Sequence, residues 1–455
     1  MQTLFNIAAF QAAGRDQMEK QGEITRRTFV SRSAMFVAGA TALSYSRVLG
    51  ANDRISLATV GLGQRGSDHL WIISQLLGDK NVELAAVCDL YKPHRDRAVA
   101  TMQQSQGRSP RALERFTELL NSKDIDGVTI ATPDHQHATM ARMAAEAGKH
   151  VYVEKPMANV LEEAKAARDA VVARPNLIVQ CGTQRRSEPY QVNACEFLRT
   201  GALGDISKVE IVWNYHGPRW VGREEVKQTR EQEVDWREFL LTKPYRPFDP
   251  RIYWEFRVFR EFSSGIPDQW WTHAIDMVHF FMDDHFPVSA VALGGVLAWH
   301  DGRENPDTMQ ALFEYPKGFL LSVSTSFGND SPSSIKFMGK NATLVNYGTE
   351  GTPRWQSIEE VGNYEDTPEL KRPEKWLTLP GNDQMPPPAT PDTDVSHMSN
   401  WLGAMRSGKQ PSAPIQAGFA HSIACIMATR AFREGKKLYW DGKTERIVDQ
   451  LPAST

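Results

Sequence analysis

The run Ile55–Val60, apolar but for two small hydroxyl residues, leads directly into Gly61-Leu62-Gly63-Gln64-Arg65-Gly66, and an amphipathic stretch, Ser67–Leu77, follows at once. Strand, glycine turn and helix in that order leave few alternatives to a dinucleotide-binding unit. Gly61 allows the tight turn, Gly63 lets the backbone approach a pyrophosphate, and Gly66 lets helix and strand pack closely. The helix start, with Gln64 and Arg65 in its first turn, then faces the phosphates with free N–H groups. A glycine turn alone is weak evidence, but a second strand, Val82–Val87, ends in Cys88-Asp89, and that acid stands a little over twenty residues past Gly66. A carboxylate there accepts hydrogen bonds from the adenosine ribose and repels a 2′-phosphate, which predicts NAD rather than NADP. Lys92 and Arg95, just beyond, soften that preference.

The alternation continues. Gly127–Ala131, His150–Val153 and Leu177–Gln180 read as strands, and Gln136–Ala147 and Leu161–Val172 as helices between them. Apolar strands joined by helical crossovers form a parallel sheet covered on both faces. After Gly204 the pattern changes: Ile206–Trp213, Val288–Leu297, Met309–Tyr315, Phe319–Thr325 and Ile335–Met338 are separated by turns, which predicts a second domain around an open, mainly antiparallel sheet. A proline-rich stretch, Gly381–Asp394, precedes two helical segments, Val395–Arg406 and Gly418–Arg433. The fold class is therefore α/β, in a chain whose 455 residues suffice for two domains or three.

The start of the chain reads as an address rather than as fold. Thr25-Arg26-Arg27-Thr28-Phe29-Val30 precedes an uncharged run, Ala34–Leu43, and small residues follow to Ala51. A basic region, a short apolar core and a small-residue cleavage site make a signal peptide, and the paired arginines make it the twin-arginine type. About ten apolar residues are too few to cross a hydrocarbon core of roughly 30 Å. The expected organisation is a signal over 1–51, a Rossmann domain over 52–182, an open-sheet domain over 183–394 and C-terminal helices over 395–455. A net charge of −3 leaves no nucleic-acid footprint. The four cysteines lie far apart without a C-x-x-C pair, which suggests buried thiols, and no ligand spacing suggests a metal.

Two more loops fall at strand C-terminal ends, where ligands of open α/β sheets bind: Ala131-Thr132-Pro133-Asp134-His135-Gln136-His137 and Glu154-Lys155-Pro156. Thr132, Pro133, His137, Glu154 and Lys155 thereby join the candidate cofactor contacts. With the glycine loop, the T-P-D-x-x-H and E-K-P segments resemble the glucose–fructose oxidoreductase/inositol dehydrogenase/rhizopine-catabolism (Gfo/Idh/MocA) family over about residues 52–440. The resemblance implies a second domain whose sheet offers one face to the active site and the other to a partner subunit. It implies that Lys155 is the active-site lysine, usually followed by a cis bond to proline. Beside a nicotinamide, a lysine can hydrogen-bond the reacting hydroxyl and stabilise alkoxide charge.

The segment Gly265-Ile266-Pro267-Asp268-Gln269-Trp270-Trp271-Thr272-His273-Ala274-Ile275-Asp276 resembles the family's G-G-x-x-x-D-x-x-x-H-x-x-D signature. His273 is the candidate general acid/base, since imidazole titrates near neutrality. Asp276, at i+3, could orient it or meet substrate. Asp268 is the candidate catalytic aspartate, but it stands five residues before His273 instead of four, and Gln269 fills the usual slot. Arg185 and Trp271 complete the candidate substrate contacts, and Arg186 is as readily structural. The aromatic residues around this segment suit either sugar C–H faces or a core.

Free NAD is not expected outside the cytoplasm, and the twin-arginine route carries folded proteins. The cofactor is then expected to be loaded before export, held tightly and reset within one site. The sequence predicts an oxidoreductase acting on a sugar, polyol or glycoside hydroxyl by hydride transfer. The alternative, resembling NAD-dependent glycosidases related to the family, is hydrolysis through transient oxidation and elimination; a non-catalytic sugar-binding protein is a distant third. The translocase during export and further copies of the chain are the expected partners.

Overall fold

The computed structural model of the chain describes residues 54–347, 353–364, 367–371, 376–382 and 390–451. The predicted signal over 1–51 and residues 383–389 of the proline-rich stretch lie outside them. Six parallel strands, β1 (Ile55–Val60), β2 (Val82–Cys88), β3 (Arg111–Leu113), β4 (Gly127–Ile130), β5 (His150–Val153) and β6 (Val179–Cys181), form a sheet in the order β3-β2-β1-β4-β5-β6. All six residues of β1 are buried, as a strand sandwiched between helical layers requires. The crossovers include α1 (Gln64–Leu76), α2 (Lys92–Gln106), α3 (Asp134–Glu146) and α4 (Leu161–Val172). The order reverses between β1 and β4, so the glycine turn after β1 and the Thr132 loop after β4 open into one crevice.

A short helix, α5 (Pro189–Arg199), leads to the second sheet. Its strands are β7 (Ile206–Val212), β8 (Ser289–Gly295), β9 (Thr308–Glu314), β10 (Leu320–Ser326), β11 (Ser334–Gly339), β12 (Ala342–Tyr347), β13 (Arg354–Ser357), β14 (Leu377–Thr378), β15 (Leu438–Asp441) and β16 (Arg446–Val448). They lie in the order β14-β13-β12-β11-β7-β10-β9-β8-β15-β16, antiparallel except for β7 beside β10. Alternation along β9 buries Met309, Ala311 and Phe313 and exposes Gln310, Leu312 and Glu314, so one face is core and the other is open. Between β7 and β8 the chain leaves the sheet to build α6 (Pro250–Glu255), a π-helical turn (Pro267–Trp271) and α7 (Thr272–Met282).

The C-terminal helices bind the domains together. From α8 (Thr390–Ser407), Met398, Trp401 and Leu402 join Leu57, Ile72 and Leu84 in the core of the parallel-sheet domain, and Trp401 Nε1 reaches the Ile178 carbonyl at 3.3 Å. Truncating so buried a tryptophan to alanine costs about 3–5 kcal/mol. Helix α9 (Ile415–Glu434) is apolar nearly all round because α4, α7 and β8 surround it. A Cβ on its Gly418 would lie 2.2 Å from Cys181 Sγ, so only glycine permits that approach to the end of β6. All four cysteines are buried and unpaired.

Candidate functional site

The glycine turn is built as its sequence requires. Gly61 has φ +79°, and a Cβ there would sit 2.6 Å from the Ala131 carbonyl oxygen. A Cβ on Gly66 would strike the Gly61 carbonyl, whereas one on Gly63 meets nothing and would fill the crevice. Gly61, Gly63, Asp89 and Pro133 border a cleft of about 160 Å³. Gln64, Arg65 and Thr132 border it too, and they also border an adjoining cleft of about 710 Å³. Asp89 Oδ2 accepts from the Leu62 amide at 2.6 Å and Oδ1 from the Tyr91 amide at 2.8 Å, which fixes the carboxylate against the turn. The cations beyond it are engaged: Lys92 pairs with Asp96, and Arg95 donates to the Asp89 carbonyl. An open cradle at Gly63 beside a fixed acid fits an adenine dinucleotide.

The second domain closes over this cleft. Phe239, Tyr253, Trp254, Arg223 and Arg257 line it from the far side. Trp254 packs edge-on to Tyr91 at 5.3 Å and to His94 at 5.4 Å, and the Phe239 carbonyl accepts from Gln136 Nε2 at 2.7 Å. These contacts come from the long return between β7 and β8.

At the E-K-P segment, Glu154 is a buried hub. Its Oε1 accepts from Arg65 Nε at 2.7 Å and lies 2.9 Å from His69 Nε2. Burial alone would raise its carboxyl, but Arg65 and His69 hold it well below the usual range. Arg65 also grips Asp394 with both terminal nitrogens, tying the glycine loop to α8. His137 places Nε2 2.7 Å from the Thr132 carbonyl and Nδ1 2.7 Å from the Pro156 carbonyl, bracing one loop against the other. Glu154 and His137 thus have their polar atoms taken up by protein. The Lys155–Pro156 bond is cis.

Lys155 and His273 open onto the larger cleft together with Asp134, Gln269 and Trp270. Lys155 Nζ donates to the Gln269 carbonyl at 2.9 Å. Burial brings its pKa down to about 8, and the charges of Arg257 and Arg65 act in the same sense against Asp134 and Glu154. Burial, then Lys155 and Arg185, push the His273 imidazole well below its ordinary value, so it is neutral at neutral pH. Arg185 is half-buried and lies over Trp213, 5.5 Å from the ring centroid.

Three expected contacts stand elsewhere. Asp268 is fully buried behind the cleft: Oδ2 accepts from the Ser264 amide at 2.6 Å, and Oδ1 has no hydrogen-bond partner among the described residues. Burial and the charge of Asp134 lift its pKa to about 7. The π-helical turn sends Gln269 to the cleft in its place, where Nε2 donates to both oxygens of Asp134 at 2.8 and 2.6 Å. Trp271 is core, with no exposed surface and its Nε1 on Thr325 Oγ1 at 2.8 Å. Asp276 faces away from the cleft and pairs with Arg186 through two bonds of 2.7 and 2.9 Å. One turn of helix does not put it beside His273, because Arg186 and His421 claim the carboxylate from other elements.

The sequence reading missed Asp134, although it lies in the loop singled out, and it missed Arg219, Arg223 and Arg257 altogether. No local pattern marks those arginines, since only the long return between β7 and β8 brings them to the cleft. Of the aromatic residues, Tyr215, Trp220 and Trp270 line the cleft, with Trp213 stacked on Trp270 at 5.3 Å.

The model of an oxidoreductase family's NAD-binding Rossmann fold, Gfo/Idh/MocA, matches residues 55–182, and the same family's C-terminal alpha/beta domain matches residues 234–439. An alpha-N-acetylgalactosaminidase of Shewanella oneidensis is 30% identical over 194 residues, 42% of this chain and 40% of that protein. A glycosyl hydrolase family 109 protein of Shewanella sp. W3-18-1 is 30% identical over 196 residues, again 42% and 40%. The match therefore spans about two fifths of these curated relatives. A levoglucosan dehydrogenase solved with NADH shares the fold with a TM-score of 0.63 at 18% identity, covering 84% of this chain and 98% of that one. The WlbA dehydrogenase from Bordetella pertussis, solved with NADH and UDP-GlcNAcA, gives 0.61 at 19%, covering 85% and 99%.

Proposed function

The chain belongs to the Gfo/Idh/MocA family of NAD-binding oxidoreductases, and from that premise we propose that it acts on a hydroxyl of a sugar, polyol or glycoside, with the cofactor held in place through turnover. Bound in the smaller cleft, NAD supplies a ring that takes up or returns a hydride. Gly61, Gly63 and the start of α1 meet its diphosphate, and Asp89 its adenosine ribose. What carries the proposal is that Lys155 and a neutral His273 share one cleft, which continues into the dinucleotide crevice. His273 accepts the hydroxyl proton, and the Lys155 ammonium stabilises the oxygen as its charge grows. Trp220, half-buried in the cleft wall, offers apolar surface to the sugar ring.

The second-domain wall of Tyr253, Trp254 and Phe239 supports a cofactor that does not exchange freely. Nucleotide released by denaturing the purified protein, identified by mass spectrometry, tests this: stoichiometric NAD supports retention, and an empty protein overturns it. A second reading, net glycoside hydrolysis through transient oxidation, is favoured by the curated relatives with glycosidase names. An aryl N-acetylgalactosaminide assay without added NAD separates the two, because hydrolysis needs no external acceptor and dehydrogenation does.

Export through the twin-arginine route is part of the same proposal. Changing Arg26 and Arg27 to lysine should leave the protein in the cytoplasm, and mature enzyme still found outside would overturn it. A partner subunit is proposed for the open sheet face, where Leu293 and Leu312 are 76% and 52% exposed on neighbouring strands. Light scattering at the mass of a monomer would rule it out.

A further inference from the structure

We propose that the substrate carries an anionic group, a carboxylate, sulfate or phosphate ester on the sugar, and that Arg219 binds it. This rests on the assignment of the larger cleft as the substrate site. Arg219, Arg223 and Arg257 converge on that cleft from the return between β7 and β8. None of the three has an acidic partner: Arg257 Nε donates to the Gln269 amide oxygen at 2.9 Å, and no acceptor meets the Arg219 or Arg223 side chain among the described residues. Arg219 Nε is buried without a partner, and its guanidinium lies over Tyr215 and Trp270, 4.7 and 5.7 Å from their centroids.

The acids of the cleft are already committed. Glu154 and Asp394 hold Arg65, which also has Asp68 nearby, and Asp134 accepts from Ser263 Oγ and Gln269 Nε2. The cleft is therefore divided, with hydrogen-bonded acids on the parallel-sheet side and, on the other, guanidinium groups that no acid contacts directly. A buried guanidinium nitrogen left without an acceptor is costly, and a bound anion supplies one. Arg223 and Arg257 also border the dinucleotide cleft, where the cofactor's own diphosphate is a competing anion. Arg219 borders the larger cleft and not the dinucleotide cleft, so the substrate is the anion left for it. Its position over Tyr215 and Trp270 sets the charge in the aromatic wall next to Trp220, so a ring resting against Trp220 brings a substituent to the guanidinium.

The test is calorimetric binding to the NAD-loaded protein of matched pairs: galactose against galacturonate, glucose against glucuronate, and N-acetylgalactosamine against its 6-sulfate and 6-phosphate. At least one anionic member should bind about tenfold or more tightly than its neutral parent, weaken as salt rises, and identify which anion fits. Arg219→Gln should abolish that preference while leaving NAD content and the melting transition unchanged, and Arg219→Lys should keep part of it. Neutral parents binding as well as every anionic member, or a preference surviving in Arg219→Gln, would overturn the proposal. Reduction of the bound NAD is followed in the same samples. Anion-selective binding without reduction would sink the oxidoreductase reading and leave the anion site standing; reduction by neutral sugars alone would do the reverse.

Discussion

Lys155 Nζ, at the end of a parallel-sheet strand, donates to the backbone carbonyl of Gln269 in the π-helical turn of the other domain, 2.9 Å away. That single bond positions the ammonium relative to His273, four residues further along the second element. It also makes the lysine's charge depend on domain closure, because burial between the two elements is what lowers its pKa to about 8.

The first prediction follows from that value. If the ammonium stabilises the developing alkoxide, oxidation should fall as pH rises through about 8, where the charge is lost. Lys155→Arg should be slower but keep its alkaline plateau, since guanidinium stays charged. The pH profile of kcat measures this. A rate that climbs through pH 8 instead would make neutral Lys155 the base.

Asp89 should set the choice of nucleotide. Its carboxylate is fixed by the Leu62 and Tyr91 amides, and Lys92 and Arg95 are engaged elsewhere. Asp89→Ser should weaken NAD by about 1.5–3 kcal/mol, the worth of a hydrogen bond to a charged group. It should weaken NADP less, because the repulsion of a 2′-phosphate disappears with the acid. Titration of nucleotide-stripped protein decides it, and an unchanged NAD/NADP ratio counts against the assignment.

How legible the molecule is in its sequence depends on how local the deciding interaction is. The glycine turn, Asp89 and the E-K-P segment stand at strand ends as their sequence predicts, because each is a strand end followed by a fixed geometry within a few residues. Asp276 and Trp271 are misplaced because helical spacing says which residues share a face, not which partner claims that face. Arg186, ninety residues away, claims Asp276, and Thr325 on β10 claims the Trp271 indole. The π-helical turn adds a residue that helical periodicity does not anticipate, which is why Gln269 and not Asp268 reaches the cleft.

The corrected role of Asp276 has its own consequence. Burial pushes its carboxyl up, but Arg186 and His421 overcome this and leave it far below the ordinary value. Its stabilisation is present above the unfolded pKa of roughly 3.9 and is lost only as pH falls through the lower folded value. Asp276→Asn leaves the Arg186 charge buried without a counter-ion and should cost about 3–5 kcal/mol of stability. Turnover per folded molecule should change little, since the side chain faces away from the cleft. Denaturant unfolding beside steady-state rates separates these, and a stable, inactive variant would restore Asp276 to the chemistry.

The last prediction concerns Lys155 and His273 together. Oxidising a carbinol removes a hydride and a proton, and a sugar hydroxyl is too weak an acid to ionise first, so the proton leaves as the hydride does. His273, kept neutral by burial and by the charges of Lys155 and Arg185, has a free lone pair for it at neutral pH. General-base contributions are typically about 10²–10⁴-fold, so Lys155→Ala and His273→Ala should each lose at least about a hundredfold in rate. Both should retain dinucleotide, because neither Gly63 nor Asp89 depends on them. If the two act as one relay, the double variant should be far less impaired than the product of the single losses. Rates with a reactive sugar, with nucleotide quantified in the same samples, measure all three. Near-normal turnover in His273→Ala would move the base to another group in the cleft. Asp268 is sealed behind the π-helical turn, so that group would be Asp134, whose carboxylate already faces the Gln269 amide at 2.6 Å.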